Sequence, residues 1–236
     1  PPPPPVDDRQ WGLGDAFLTL AVFFLVSLVV GIFAFGLSGD DEVLKGAWLP
    51  IAVGLPPAIQ LGHVLWIGRT KGRGVAQDFG FRFRPSDLAV GAGVFVAGVI
   101  AAGAIGSIIF EVFDQEPSAS VAEMAEDSAG GSGITVWIVL LAILAVTLVP
   151  VVEELVFRGL WWSALAKKGM SEGACLVITS ATFALFHFEP LRSPVLFVLG
   201  MALGFGRIRT GRIGASIAGH AYINALGMTA LLVDLA

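Results

Sequence analysis

Five long apolar runs dominate the chain, at 16–39, 46–68, 88–110, 129–152 and 213–233, and two shorter ones lie at 173–188 and 193–206. A helix crossing the hydrocarbon layer needs about 20 mostly apolar residues. The pattern predicts an all-α fold, a polytopic membrane helix bundle of about seven transmembrane helices. The first run is read as a span rather than a cleaved signal peptide, because it is too long for such a segment and no basic leader with an A-x-A site frames it. The polar intervals alternate in sign. Arg69, Lys71, Arg73, Arg82 and Arg84 follow the second run, Lys167 and Lys168 the fourth, and Arg207, Arg209 and Arg212 the sixth. The other intervals are acidic: Asp40, Asp41 and Glu42, then Glu111, Asp114, Glu116, Glu123, Glu126 and Asp127. Cytoplasmic loops are the basic ones, so the N-terminus is expected in the cytoplasm and the C-terminus outside, in a bacterial cell membrane.

Composition narrows the function classes. Of 236 residues, 56% are apolar and 14% charged, against about 25% charged in soluble domains. A soluble globular protein, a disordered chain and a nucleic-acid binder with a basic face are excluded. One cysteine, Cys175, rules out an internal disulfide and a cysteine-rich metal site. Residues 1–14, opening on Pro1–Pro5 without a Met and read as trimmed at the start, are expected to form a disordered cytoplasmic tail. Residues 15–236 are expected to form a single transmembrane domain. The Glu111–Gly133 stretch reads as a solvated, mobile loop. Gly98, Ala102 and Gly106, and Gly200 and Gly204, are spaced by four and read as helix-packing faces.

Ionisable groups inside a bilayer cost roughly 2.5–3.5 kcal/mol each on insertion scales, so each needs a reason. Glu153, Glu154 and Arg158 follow the fourth apolar run, His187 ends the fifth, His220 and Asn224 lie within the seventh, and His63 within the second. The fourth helix is expected to continue to Lys167, since Leu155–Ala166 stays mostly apolar. At about 1.5 Å per residue, Glu153 lies about 21 Å above Lys167, His187 about 24 Å above Ser171, and His220 and Asn224 about 12 and 18 Å above Arg212. Three helices thus bring polar groups to similar depths.

Helix phase adds detail. Glu154 and Arg158 are i and i+4 and can pair, while Glu153 is turned about 100° away and has no partner on its own helix. His220 and Asn224 share a face, as do Phe183 and His187. Pro150 removes a backbone donor just before the acidic pair, which predicts a kink. A poorly solvated carboxylate is a competent general base near neutral pH. An imidazole can share a water with it, and a second imidazole and an amide can stabilise an oxyanion. These parts suit hydrolysis of a carbonyl compound by an activated water, without a covalent nucleophile.

The constellation resembles a known family. Glu153-Glu154-Leu155-Val156-Phe157-Arg158-Gly159 matches EExxxR with an FRG ending, Phe183-Ala184-Leu185-Phe186-His187 matches FxxxH, and His220-Ala221-Tyr222-Ile223-Asn224 matches HxxxN. This is the pattern of the CAAX protease and bacteriocin-processing (CPBP, or Abi) family of intramembrane glutamic endopeptidases, and it covers roughly residues 135–233. The resemblance implies that Glu153 is the base that activates water with His187. It implies that His220 and Asn224 form the oxyanion hole, and that Glu154 and Arg158 hold the site together. It implies no cofactor and no metal, a membrane protein or lipidated peptide as substrate, the bilayer as medium, no nucleic acid, and room for an unidentified membrane partner subunit.

Three rival readings stand beside it. Two histidines and a glutamate could hold zinc. The polar groups could serve only to pin the helices of a scaffold, chaperone or immunity protein. Glu153 and His187 could form the proton relay of a transporter. Elsewhere, His63 reads as a packed or interfacial residue, Trp161 and Trp162 as interfacial anchors, and Arg69–Arg84 as a topology signal.

Overall fold

A computed structural model describes residues 9–38, 46–114, 120–129 and 133–236. Pro1–Pro5, Asp40, Asp41, Glu42 and Glu116 lie outside the described residues. The described chain is helical with no strand: α1 (Leu13–Ser38), α2 (Trp48–Thr70), α3 (Val75–Asp78), α4 (Ser86–Phe113), α5 (Ser120–Ala129), α6 (Val136–Glu154), a π-helical segment (Leu155–Trp161), α7 (Trp162–Lys167), α8 (Glu172–Phe186), α9 (Ser193–Thr210) and α10 (Gly214–Asp234). Five stretches are long and apolar enough to cross a membrane: Leu13–Ala34, Trp48–Thr70, Ser86–Phe113, Val136–Lys167 and Gly214–Asp234. The two shorter runs form α8, of 15 residues, and α9, of 18.

Local chemistry sets the helix ends. Thr135 accepts from the Ile138 amide at the start of α6, and Ser171 from the Ala174 amide at the start of α8, which supplies acceptors to orphan first-turn donors. Gly211 ends α9 at φ 68°, the left-handed conformation glycine adopts without Cβ strain.

The helices wrap around one another in a fixed order. α2 packs between α1 and α6, α6 against α10, α10 against α4 and α9, and α8 against α9. The α4–α10 crossing is so close that a Cβ on Gly91 would fall 2.6 Å from Ala218 Cβ and 2.8 Å from the Gly219 nitrogen. Small residues there exchange side-chain bulk for backbone proximity.

The fourth span runs unbroken from Val136 to Lys167. From Glu154 to Leu165 every residue is buried, because α1, α2, α3 and α8 all pack on the π segment. Such a stretch has no lipid-facing side, and it is the interior on which the site is built.

Several expectations are corrected here. Trp161 and Trp162 are not interfacial anchors. They are buried, Trp161 edge-on to Phe17 and Trp162 beneath the Arg207 guanidinium. The 111–133 stretch is not wholly a loop: α4 runs to Phe113, and α5 buries Ala125 and Ala129 against Leu49, Ile138, Leu141 and Leu231. Of residues 9–14, Trp11 is buried against Phe79 and donates its indole N–H to Asp78.

The basic end also does more than signal topology. Lys71 pairs with Asp15, Arg212 with the fully buried Asp87, and Arg207 donates to the Phe79 carbonyl. Lys167 donates to the Trp11 carbonyl. His63 is packed, its Nδ1 3.1 Å from the Thr19 hydroxyl.

Candidate active site

α6 passes through Pro150 and reaches Glu154 as regular helix. The departure comes just after, where the Leu155 amide is shared between the carbonyls of Val151 and Val152 and the ladder widens into the π segment. A π turn holds one extra residue and often marks a functional site. Here it lies between the acidic pair and Trp161, and Arg158 is on it.

Glu154 and Arg158 are both completely buried. A buried charge is tolerable only when paired and hydrogen-bonded. Arg158 meets that condition on three sides. Nη1 donates to Glu154 Oε1 at 3.0 Å, Nη2 donates to the Gly200 carbonyl at 2.8 Å, and the guanidinium lies 4.8 Å over the Phe183 ring.

Glu154 Oε1 has a second partner, His220 Nδ1 at 3.0 Å. A carboxylate already paired with a guanidinium can only accept, so Nδ1 carries the proton. The opposite ring nitrogen, Nε2, lies 3.6 Å from Glu153 Oε2. The partner that Glu153 lacks on its own helix therefore comes from α10. Glu153 is the more open of the two, its side chain 17% exposed against 0% for Glu154.

His187 caps the C-terminus of α8, with Nδ1 2.7 Å from the Phe183 carbonyl. A carbonyl oxygen cannot donate, so Nδ1 is again the protonated nitrogen, and Nε2 is the acceptor of the neutral ring. The Phe183 side chain joins the groups. Its ring meets His187 edge-on at 4.8 Å, His220 at 5.8 Å and Phe157 at 5.5 Å, besides lying under Arg158.

Asn224 is engaged elsewhere. Its amide donates to the Ala145 carbonyl at 2.8 Å and ties α10 to α6, two helical turns from Glu153 along that helix. One amide N–H remains to it.

The structure thus brings Glu153, Glu154, Arg158 and His220 into one cluster. It links His187 to them through Phe183, and holds Asn224 one turn along α10 from His220. Among the described residues, no group of three or more His, Cys, Asp or Glu is arranged to hold a metal ion. Two contributors were not visible as such in the sequence: the Gly200 carbonyl, whose residue reads only as part of a packing face, and the shared ring of Phe183. The signal available for Phe183 is its i, i+4 relation to His187.

A membrane-spanning helical bundle with a carboxylate–imidazole cluster on its most buried helix is the class that fold and site define. Residues 135–226 match the family model for the type II CAAX prenyl endopeptidases, Rce1-like. The matched segment carries all three motifs, Glu153–Gly159, Phe183–His187 and His220–Asn224. No curated protein and no solved structure matches the chain.

Proposed function

We propose that this protein is an intramembrane glutamic endopeptidase of the type that cleaves prenylated CAAX sequences, hydrolysing a peptide bond of a membrane-associated substrate with an activated water. The observation that carries the reading is the meeting of Glu153 with His220 beside the buried Glu154–Arg158 pair, within the segment that matches the family. In this reading Glu153, the more open carboxylate, takes the proton from water. His187 orients that water through its acceptor nitrogen Nε2. Attack on the scissile carbonyl makes an oxyanion, which the remaining Asn224 N–H and the His220 Nε2–H stabilise. Glu154 and Arg158 hold the frame and touch no substrate atom.

The substrate is a membrane protein or a lipidated peptide, since the cluster lies on the fourth and last of the long apolar helices. A membrane partner subunit is compatible with the chain. The topology proposed with this mechanism has seven crossings, α8 and α9 completing the set, with the N-terminus cytoplasmic and the C-terminus outside.

The test compares membrane peptides from cells carrying the wild-type protein and Glu153→Ala. A set of termini that vanishes in the variant while protein level holds supports the reading. An unchanged set, with biological function retained, overturns it.

A further inference from the structure

His220 stands between two carboxylates. Glu154 Oε1 sits on its Nδ1 at 3.0 Å and Glu153 Oε2 faces its Nε2 at 3.6 Å. An imidazole with acceptors on both nitrogens is served by protons on both. A neutral ring with its proton on Nδ1, where Glu154 requires it, would turn the bare Nε2 lone pair toward the Glu153 oxygens. It would also have no Nε2–H to offer a substrate.

The other groups around the ring agree with a cation there. Glu153, Glu154 and Arg158 are the charged groups that α6 and the π segment bring to it, and α8 brings the Phe183 ring edge-on with His187 beyond. Nearby on α10, Ala218 and Gly219 pack on Gly91 and Val94 of α4, and the Ser216 hydroxyl donates to the Leu203 carbonyl of α9. With His220 doubly protonated, two carboxylates face two cations and the buried cluster is neutral.

We infer that His220 is a catalytic proton donor, working as an imidazolium whose Nδ1–H is fixed by Glu154 and whose Nε2 proton goes to the departing amine nitrogen. This rests on the endopeptidase reading and gives His220 a role beyond polarising the carbonyl. Water oxygen bonds to the scissile carbon, its proton goes to Glu153, and the carbonyl π pair moves onto oxygen. The oxygen pair then returns, the C–N bond breaks, and its electron pair on nitrogen takes the proton from His220 Nε2. The proton on Glu153 then returns to Nε2 through one water, since the 3.6 Å gap exceeds direct hydrogen-bond reach, which restores both groups. Glu154 is a positioning residue in this scheme, since it reaches the substrate only through His220.

Two measurements on the full chain in liposomes test this. The protein has three histidines, so ¹⁵N NMR of labelled imidazoles, with His63→Asn and His187→Asn used for assignment, reads His220 directly. Both of its nitrogens should be protonated at neutral pH, and Glu154→Gln should return the ring to single protonation. A bare nitrogen in the otherwise unaltered site overturns the inference.

The second measurement compares a fluorogenic peptide ending in a farnesylated CAAX sequence with the analogue in which an ester replaces the scissile amide. An alkoxide leaves without help, whereas an amine does not. His220→Gln keeps one neutral N–H donor but cannot deliver a proton. It should lower amide hydrolysis by about 10²–10⁴-fold, the range for a lost general acid, and ester hydrolysis by less than about tenfold, because an N–H still meets the oxyanion. Equal losses on both probes would show that His220 only polarises the carbonyl. Failure of the endopeptidase reading shows separately: Glu153→Gln would retain hydrolysis of both probes, whatever the NMR finds at His220.

Discussion

Glu153 and Glu154 are neighbours in sequence, yet their substitution by Gln should differ sharply in its cost to stability. Glu154 is fully buried and anchors Arg158 and His220 at 3.0 Å each. In Glu154→Gln the amide oxygen can still accept one hydrogen bond, but the countercharge is gone and Arg158 is left as a buried cation with only the Gly200 carbonyl and the Phe183 face. Breaking a buried pair by removing one partner costs about 3–5 kcal/mol. For a chain of this length each kcal/mol moves Tm by about 2–4 °C, so the drop should be about 6–20 °C. Glu153 is part-exposed and stands 3.6 Å from His220. Its pairing is worth about 1 kcal/mol at most, as for a solvated ion pair, and Glu153→Gln should shift Tm by less than about 4 °C. Tryptophan fluorescence melts in detergent give the assay, since Trp11, Trp161 and Trp162 are buried. Hydrolysis of the farnesylated probe should be lost in both variants. If the two proteins melt alike, the division between a framework carboxylate and a working one is wrong.

Three further outcomes follow from the geometry. Gly200→Ala puts a Cβ 3.1 Å from Arg158 Nη2 and 3.1 Å from Ser180 Cβ. It should destabilise by about 1–3 kcal/mol, as overpacking does, and lower kcat through the displaced guanidinium, both readable in the same melts and turnover assays. Trp11→Ala removes a buried indole bonded to Asp78, and should cost about 3–5 kcal/mol in the melt while leaving KM for the probe unchanged. Asn224→Ala should lower single-turnover cleavage by about 10²–10³-fold, the loss typical of one oxyanion donor, and Asn224→Asp by more, because a carboxylate repels the oxyanion and cannot donate to the Ala145 carbonyl. Recovery of Asn224→Asp activity by a divalent cation would replace the glutamic mechanism with a metal one.

How much of this was legible depends on which force decides each feature. The five long spans were legible because hydrocarbon demands long apolar runs, and the Glu154–Arg158 contact because helix phase alone places i and i+4 side by side. The continuation of the fourth helix to Lys167 followed from Leu155–Ala166 staying apolar. Helix neighbours were not legible. Nothing local says that α10 lies against α6 or that His220 turns its two nitrogens to the two glutamates. The same gap explains Trp161 and Trp162: aromatic residues near a basic stop signal read as interfacial, but α1 and the α9 end cover them. α5 was hidden because its acidic residues dominate a short segment, although Ala125 and Ala129, four apart, are the face that packs. Pro150 lies within α6, and a π segment that no local signal announced begins five residues later.

The π segment connects these points. Three ionisable groups lie within six residues of one span, and a regular helix would spread Glu153 and Glu154 over adjacent directions with only one of them able to face Arg158. The structure accepts that spread and uses it. Glu154 turns inward, where Arg158 and His220 Nδ1 meet it, and Glu153 turns to the more open side, where His220 Nε2 faces it. One imidazole from α10 bridges the two directions that helix geometry separates. The motif therefore needs both acids in succession, because one position cannot be fully buried against an arginine and also reach water. The histidine that meets both acids comes from another helix, α10, and its ring stands between the two carboxylates. The charge on Arg158 is then the condition for the whole arrangement: with it, the bilayer sees a neutral cluster, and without it, the span carries two carboxylates against one imidazole, at a cost the helix packing would have to absorb.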